Sequence, residues 1–569
     1  MHPDPKTAKD LPASTFIQTA RARERVLGRE LACVILAWLA LAIMALILTR
    51  QNTTAPGLYY DEALIAGMAK DFLAGHTRGA HIPGHETTSV LGRPFPTYIS
   101  CYEGALKSWM IMPAFKLFGA KLSVFRLASL GWGLLALLLF MLWTWQLLGC
   151  GPAIVAGALL AMDPSFLFTN LFDWGQVGSS FLCRLAALYL TLLWWRSPRA
   201  VLAGFAGLFW GLGFFNKIDF IVVLGGLGLA TAICYGQLIL GRLREVRRSL
   251  IAMGVGFFLS ATFMLVQIPE ILDYIDTLPV ASSRGELIWK TKTMLATFDG
   301  SYFSRLFEAG GLFERIYRIP SYGSDRFLPA VVVSIAFLLP WAVIGRPRNT
   351  DGHLIRFLLL ASLFITLALL ALPGGVHIHH SILVYPFPHL IVALALKILW
   401  EKTSARPSTY RAICWLVSIF VCLVLLTEVR AVDQTERFIT ATGGRGLWSN
   451  GFDAFCESIK DRTDLKIISL DWGFNEQLMF LTDGPQLEEP FWEWRGGRKT
   501  APWELDAIPG NIYLVRPRDL IFMTFVPFGP GYLAAALGDT NKFEVKTYSD
   551  RQGQTVFYTI QARARSNTD

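Results

Sequence analysis

Two carboxylates, Asp61 and Glu62, stand side by side after Tyr59 and Tyr60, a short way past the apolar run Leu31 to Leu48. Three further polar clusters interrupt later apolar stretches: Asp173-Trp174-Gly175, Asn216-Lys217-Ile218-Asp219, and His377-Ile378-His379-His380 with Tyr385-Pro386-Phe387-Pro388 behind it. Arg93, in Gly92-Arg93-Pro94-Phe95-Pro96, adds a cation near the first pair. A carboxylate can take the proton of an attacking hydroxyl, and a cation stabilises charge building on a departing phosphate. On one membrane face, these residue types suit group transfer from a lipid phosphate to a hydroxyl arriving from water.

Each cluster also has a plainer reading. Asp61 and Glu62 read as solvated loop carboxylates, Lys217 as a snorkelling side chain, and Asp173 as the cap of a helix starting near Val177. The histidines read as an interfacial group or, on weak spacing, as a metal site. Asp163 and Arg184 lie inside apolar runs, where a charge costs roughly 2.5–3.5 kcal/mol on insertion scales. Asp163 precedes Pro164 and reads equally as a helix break or a substrate contact.

The elements that must position these residues follow from composition. Of 569 residues, 53% are hydrophobic and 17% charged, with a mean hydropathy of +0.43. Soluble domains carry roughly 25% charged residues, so a polytopic membrane protein is expected. The net charge of +9 comes from short basic segments between apolar runs, a pattern that points to cytoplasmic loops rather than nucleic acid. The first 29 residues are polar and basic, and the run after them is too long for a signal peptide, so a retained anchor is expected. Eight cysteines form neither a metal-ligand spacing nor a disulfide framework.

About eleven spans are expected, near 31–49, 123–148, 153–170, 178–195, 200–215, 218–240, 249–268, 327–345, 355–372, 381–399 and 411–427. With a cytoplasmic basic N-terminus (1–30), the loops at 241–249, 346–356 and 401–411 fall inside and carry most of the short-loop Lys and Arg. The outer loops 50–122 and 269–326 then fall outside, as does the tail 428–569. Tyr102 to Gly119 is interrupted by charges and is expected to lie as a helix in the outer interface. Strand-like Leu465 to Leu470, Asn511 to Val515 and Val556 to Ile560, with helix-like Asn475 to Leu481, mark the tail as a small α/β domain. The fold class is an all-α membrane domain over 31–427 with an extracytoplasmic α/β domain behind it.

Tyr60-Asp61-Glu62, then Gly92-Arg93-Pro94, then Leu117-Phe118-Gly119 and Arg126, resemble the membrane-integral glycosyltransferases of the C-type fold. The protein O-mannosyltransferases and lipid A aminoarabinose transferases are the similar groups, and the resemblance runs from about Leu31 to Phe387. It implies an inverting transfer from a polyprenyl-phosphate sugar to an acceptor glycan, lipid or protein, without a cofactor and without a required metal. It implies Asp61 as general base, Asp173 as a second acid across the pocket, Glu62 in support, and Arg93 on the donor phosphate. Tyr60, Lys217, Asp219, His377, His379, His380 and Tyr385 complete the candidate substrate-binding set. The chain departs from the usual Pro-Pro by reading Pro94-Phe95-Pro96. The expected setting is a bacterial inner membrane, with the site on the extracytoplasmic side. A transporter or flippase of a lipid-linked sugar is the competing reading, which polar residues at mid-membrane and inverted repeats would favour.

Overall fold

In the computed structural model, residues 13–78, 86–172, 174–277, 283–308, 312–317, 323–344, 350–373, 376–403, 407–495, 501–502, 505–520 and 528–563 are described. Helix α1 (Ala13–Leu48) carries the first apolar run. It leads to α2 (Tyr60–Ala74), an antiparallel sheet of β1 (Glu86–Val90), β2 (Arg93–Ser100) and β3 (Glu103–Gly104), and α3 (Leu106–Phe118). The expected interfacial helix is α3, which buries Leu106, Ile111, Met112 and Phe115.

An apolar series follows: α4 (Leu122–Leu148), α5 (Cys150–Met162), α6 (Pro164–Phe172), α7 (Val177–Arg196), α8 (Ala200–Asn216) and α9 (Phe220–Val266). Helices α10 (Ile268–Thr277), α11 (Arg284–Phe298), α12 (Tyr302–Leu306) and α13 (Leu312–Tyr317) follow in the stretch expected as the second outer loop. Then come α14 (Phe327–Ile344), α15 (Thr350–Ala371), α16 (Ile378–Ser381), α17 (Phe387–Thr403) and α18 (Pro407–Thr442). Among the described residues, seven helices are long and apolar enough to cross a membrane, or eight with α5 and α6 taken as one bent span. Helices α8 and α14 are shorter apolar helices. The chain is a multi-pass membrane protein.

Two expected spans differ in detail. The stretch 153–170 bends by 59° between α5 and α6. Proline restricts the residue before it to extended backbone, and Asp163 has ψ 120°. The Asp163 Oδ1 accepts the Phe166 N–H at 2.9 Å, so the helix-break reading of Asp163 holds. The second correction is α9, which is helical through 241–249, where a loop was expected. After Gly241 the segment Arg242-Leu-Arg-Glu-Val-Arg-Arg has no Gly or Pro and favours helix. The run nevertheless doubles back. Phe220 packs on Trp210, and Phe263 packs on Phe215, with ring centroids 6.1 and 5.9 Å apart. A straight helix would separate residues 220 and 263 by roughly 65 Å. The reversal lies beside the far end of α7: Trp194 Nε1 donates to Ser249 Oγ at 2.8 Å, and Arg242 stacks over Trp195 at 4.7 Å.

The C-terminal part is α19 (Gly451–Ile459), β4 (Lys466–Ser469), α20 (Asn475–Leu481), β5 (Gln486–Glu488), α21 (Phe491–Arg495), β6 (Asn511–Val515), α22 (Phe528–Gly538), β7 (Phe543–Ser549) and β8 (Thr555–Ala562). Its sheet has the order β5-β4-β6-β8-β7, parallel across the first three strands and antiparallel beyond. Ile467, Leu478, Ile512, Leu514 and Phe557 fill the core between sheet and helices. This part is clamped onto α2. Lys70 Nζ donates to the carbonyls of Phe480 (2.8 Å) and Thr482 (3.0 Å) and pairs with Asp483 at 2.8 Å. A cation there satisfies the open carbonyls at the C-terminus of α20. The clamp ties the tail to the helix whose other end carries Asp61.

Candidate active site

The first turn of α2 sets the roles of the acidic pair. Glu62 is fully buried and grips Arg126 with two bonds of 2.8 Å, to Nε and Nη2. It also accepts the Tyr59 N–H at 3.2 Å, which closes a capping box. Arg126 in turn donates to the carbonyls of Pro56 (2.8 Å) and Gly57 (3.2 Å), fixing the chain that leads into the helix. Glu62, a candidate catalytic residue from sequence, is thus committed to positioning. Successive helical residues point about 100° apart, so Asp61 faces elsewhere. It is partly exposed, and its charge acts on Tyr59, Tyr60, Tyr102, Lys217 and Glu476.

Lys217 sits in the turn between α8 and α9 and is nearly buried. It forms an ion pair of 2.6 Å with Glu103 from β3. Burial pulls its pKa down, but the carboxylates of Glu103, Asp219 and Asp61 outweigh that and raise it, so the ammonium stays charged. Asp219, the residue before α9, is pushed up to about 6, first by burial and against the pull of Lys217. The Oδ2 of Asp219 lies 3.9 Å from His380 Nε2.

Lys217 and Asp219 border a small cavity with Gly175, Phe181, Arg184 and His379 on its wall. Gly175 has φ +72°, and a Cβ there would come within 2.8 Å of the His379 ring, so glycine lets the α6–α7 turn close against the histidine. Arg184 stacks over Phe181 at 4.6 Å and donates from Nη1 to the Leu383 carbonyl. Its Nε is buried without a hydrogen-bond partner among the described residues. Sequence alone marked Arg184 as a costly intramembrane charge, and Glu103 only as a break in an apolar stretch.

The histidines share an aromatic wall. His377 lies 5.3 Å from both Trp174 and Trp289 between ring centroids, and its Nδ1 is 3.3 Å from the Tyr302 hydroxyl. Burial, then Lys217, lowers its pKa to about 4 and keeps it neutral. Among the described residues, no three His, Cys, Asp or Glu side chains are grouped to hold a metal ion. Asp173 lies outside the described residues. Tyr59 stacks on Trp448 at 4.2 Å and meets Trp174 at 5.4 Å, joining α2 to this wall.

Two expected contacts fall elsewhere. Arg93 is exposed and donates to the carbonyls of Leu73 (2.8 Å) and Phe72 (3.4 Å), at the C-terminal end of α2. Asp61 stands at the other end, and eleven residues of helix between Asp61 and Phe72 span roughly 17 Å. Tyr385 is fully buried beside Asp163, with its hydroxyl 3.0 Å from Oδ2, and His389 Nε2 lies 3.4 Å from the same oxygen. Neither residue lines the cavity: Arg93 caps a helix and Tyr385 supports the α5–α6 break.

Tyr60 turns toward the tail and packs on Trp472 with ring centroids 3.9 Å apart. Glu476 follows on α20, and Arg516 anchors the turn before it through the carbonyls of Trp472 (3.4 Å) and Gly473 (3.3 Å). Sequence reasoning assigned none of these three a role, because nothing in the linear order places residues 472–516 beside residue 60.

No protein-family model matches the chain, and no curated protein matches it. Among solved structures, ArnT from Cupriavidus metallidurans bound to undecaprenyl phosphate aligns with a TM-score of 0.54 at 12% identity, covering 94% of this chain and 98% of that one. This chain has the C-type glycosyltransferase fold. The apo state of the same ArnT, a lipid A aminoarabinose transferase, gives 0.54 at 12% identity over 92% and 97% of the two chains. The oligosaccharyltransferase of Archaeoglobus fulgidus is more distant, at 0.44 and 13% identity over 80% and 64%. At such identities the likeness is one of fold.

Proposed function

We propose that the protein transfers a sugar from a polyprenyl-phosphate donor to an acceptor hydroxyl, with inversion, at the extracytoplasmic face of a bacterial inner membrane. The observation that carries this reading is the cavity beside α7, where Lys217 and the unpartnered Nε of Arg184 stand among apolar helices. Two cations there face three carboxylates, Asp61, Glu103 and Asp219. A phosphate is therefore received chiefly by Arg184 and by the ammonium protons that Lys217 does not direct at Glu103. ArnT, which shares the fold, has been solved with undecaprenyl phosphate, and that lipid class suits a charged pocket walled by apolar helices.

In the proposed step the acceptor oxygen bonds to the anomeric carbon as its proton passes to Asp61. The bond from that carbon to the phosphate oxygen breaks, and the electron pair leaves with the phosphate. Asp219 and His379 line the donor pocket, and Asp173 is assigned the acceptor side of Asp61. Eleven membrane crossings, with α9 counted twice, leave the site and residues 428–569 outside. The support is that Gly175, Lys217, Asp219 and His379 gather at the cavity, while Arg242 and Trp195 meet at the opposite end of α7.

Native mass spectrometry of the purified protein with undecaprenyl phosphate tests the donor site. The wild type should retain the lipid. Lys217→Ala and Arg184→Gln should each weaken retention at least about tenfold, the loss of one charge-assisted hydrogen bond. Equal retention by all three proteins would contradict the assignment.

A further inference from the structure

We infer that the seam between the start of α2 and the C-terminal domain is the subsite for a sugar ring of the acceptor, with Tyr60, Trp472 and Trp492 as its aromatic floor and Glu476 and Glu489 as its hydroxyl acceptors. This rests on the proposed glycosyl transfer and names its acceptor class. The first observation is a surplus of buried acceptors without donors. Glu476 is fully buried, and among the described residues its carboxylate meets its own backbone N–H but takes no hydrogen bond from another residue. Glu489 is 4% exposed, and its Oε1 is likewise unpartnered, while its Oε2 takes the Trp492 Nε1–H at 2.8 Å. Arg516, the cation whose charge reaches Glu476, spends donors on the backbone of Trp472 and Gly473. Each buried unpaired acceptor costs on the order of 1–3 kcal/mol, a cost that a folded chain retains where a ligand supplies the missing donors.

The second observation is the floor. Tyr60 and Trp472 are in ring contact, and the cluster of Trp472 and Phe491 carries Tyr60 and Trp492 at its half-buried margin. Aromatic faces beside carboxylates match a sugar, whose C–H face is apolar and whose edge is a row of hydroxyl donors. The third is position. The charges of Glu476, Asp61 and Glu489 all act on the Tyr60 hydroxyl, so the acidic pair and the proposed base converge on one residue. A ring held there presents a hydroxyl to Asp61, while the donor lies on the other side, along Lys217. Burial raises the pKa of both glutamates, against the backbone N–H and Arg516 at Glu476 and with the help of the Glu476 charge at Glu489.

Saturation-transfer NMR on the full-length protein in detergent tests the subsite, using methyl α-mannoside, methyl α-glucoside and methyl β-galactoside as probes, with sorbitol and ethanolamine as controls. The expected result is saturation of ring C–H protons of at least one glycoside and none on sorbitol. Glu476→Gln and, separately, Glu489→Gln should weaken that binding about tenfold or more while thermal stability is kept. No glycoside signal up to about 100 mM, well above the millimolar range of weak ligands, would overturn the proposal. So would a signal from ethanolamine alone, or a glycoside signal that both variants leave unchanged. Retention of undecaprenyl phosphate without glycoside binding would sink the subsite only. Glycoside binding in a protein that neither retains that lipid nor transfers sugar would sink the transfer reading instead.

Discussion

Replacing Glu62 with Ala should destabilise the protein, although the neighbouring Asp61 can be changed with little structural cost. Glu62 and Arg126 are both fully buried and joined by two bonds of 2.8 Å. Two hydrogen bonds between charged groups are worth roughly 1.5–3 kcal/mol each. Removing one partner of a buried pair costs about 3–5 kcal/mol, because the other charge stays buried. The two figures agree on a loss near 4 kcal/mol. Arg126 would keep its hydrogen bonds to the carbonyls of Asn52 (3.4 Å), Pro56 (2.8 Å) and Gly57 (3.2 Å), its place over the Phe172 ring at 5.0 Å and the longer-range pull of Asp453, none of which replaces a directly bonded carboxylate. Glu62→Gln retains one acceptor and should cost less than Glu62→Ala. Glu62→Leu with Arg126→Met removes both charges and should recover most of the loss. Intrinsic fluorescence during thermal unfolding, in one detergent for all variants, reads the order. If Glu62→Ala unfolds within about 1 kcal/mol of wild type, the pair is not what holds the first turn of α2.

Arg93→Ala should leave undecaprenyl phosphate retention unchanged in native mass spectrometry, because Arg93 bonds to Phe72 and Leu73 at the far end of α2. Reduced retention there would restore it to the donor site. Glu103→Gln removes the carboxylate that pairs with Lys217, so retention should rise or hold, and a loss would mean that the ion pair is needed to place the ammonium. The pH response of stability should carry the signature of Glu476. Burial raises its pKa above the ordinary 4.5, so the folded protein holds a proton that the unfolded chain has lost. Stability should then fall as pH rises from about 4.5 through the folded value. Glu476→Gln should flatten that fall in melting temperature, and an unchanged slope would count against the raised pKa.

The membrane half of this architecture was legible because apolar length is a strong signal. Helices occupy most of each expected apolar stretch, and the basic segments stood out between them. The charge density after Gly241 suggests a loop, yet Arg, Leu and Glu are good helix formers and the segment is helical. Sequence pointed to Asp61 and Lys217 but could not reveal the pairing of Lys217 with Glu103, whose position is set by a two-residue strand. Arg184 looked like a cost because its value depends on a cavity formed with residues far along the chain. Arg93 and Tyr385 went the other way: suggestive neighbours in sequence, with side chains that the fold commits to backbone carbonyls and to Asp163. Strands β4, β6 and β8 of the tail were readable from their apolar and β-branched runs, whereas β5, three residues long, and β7, with Glu544 and Lys546 in it, were not, and the docking on α2 runs through Lys70 and Asp483, which look like ordinary surface charges.

The central claim is that Asp61 takes the acceptor's proton in a transfer from a polyprenyl-phosphate sugar. The direct measurement is liquid chromatography with mass spectrometry of free undecaprenyl phosphate released from an undecaprenyl-phosphate sugar by the purified protein with its acceptor extract. Asp61→Asn keeps the side-chain shape and removes the base, so lipid release and acceptor glycosylation should fall by about 10²–10⁴-fold, while lipid retention and thermal stability persist. Wild-type turnover in Asp61→Asn, or no release by the wild type from any undecaprenyl-phosphate sugar supplied, would contradict the account.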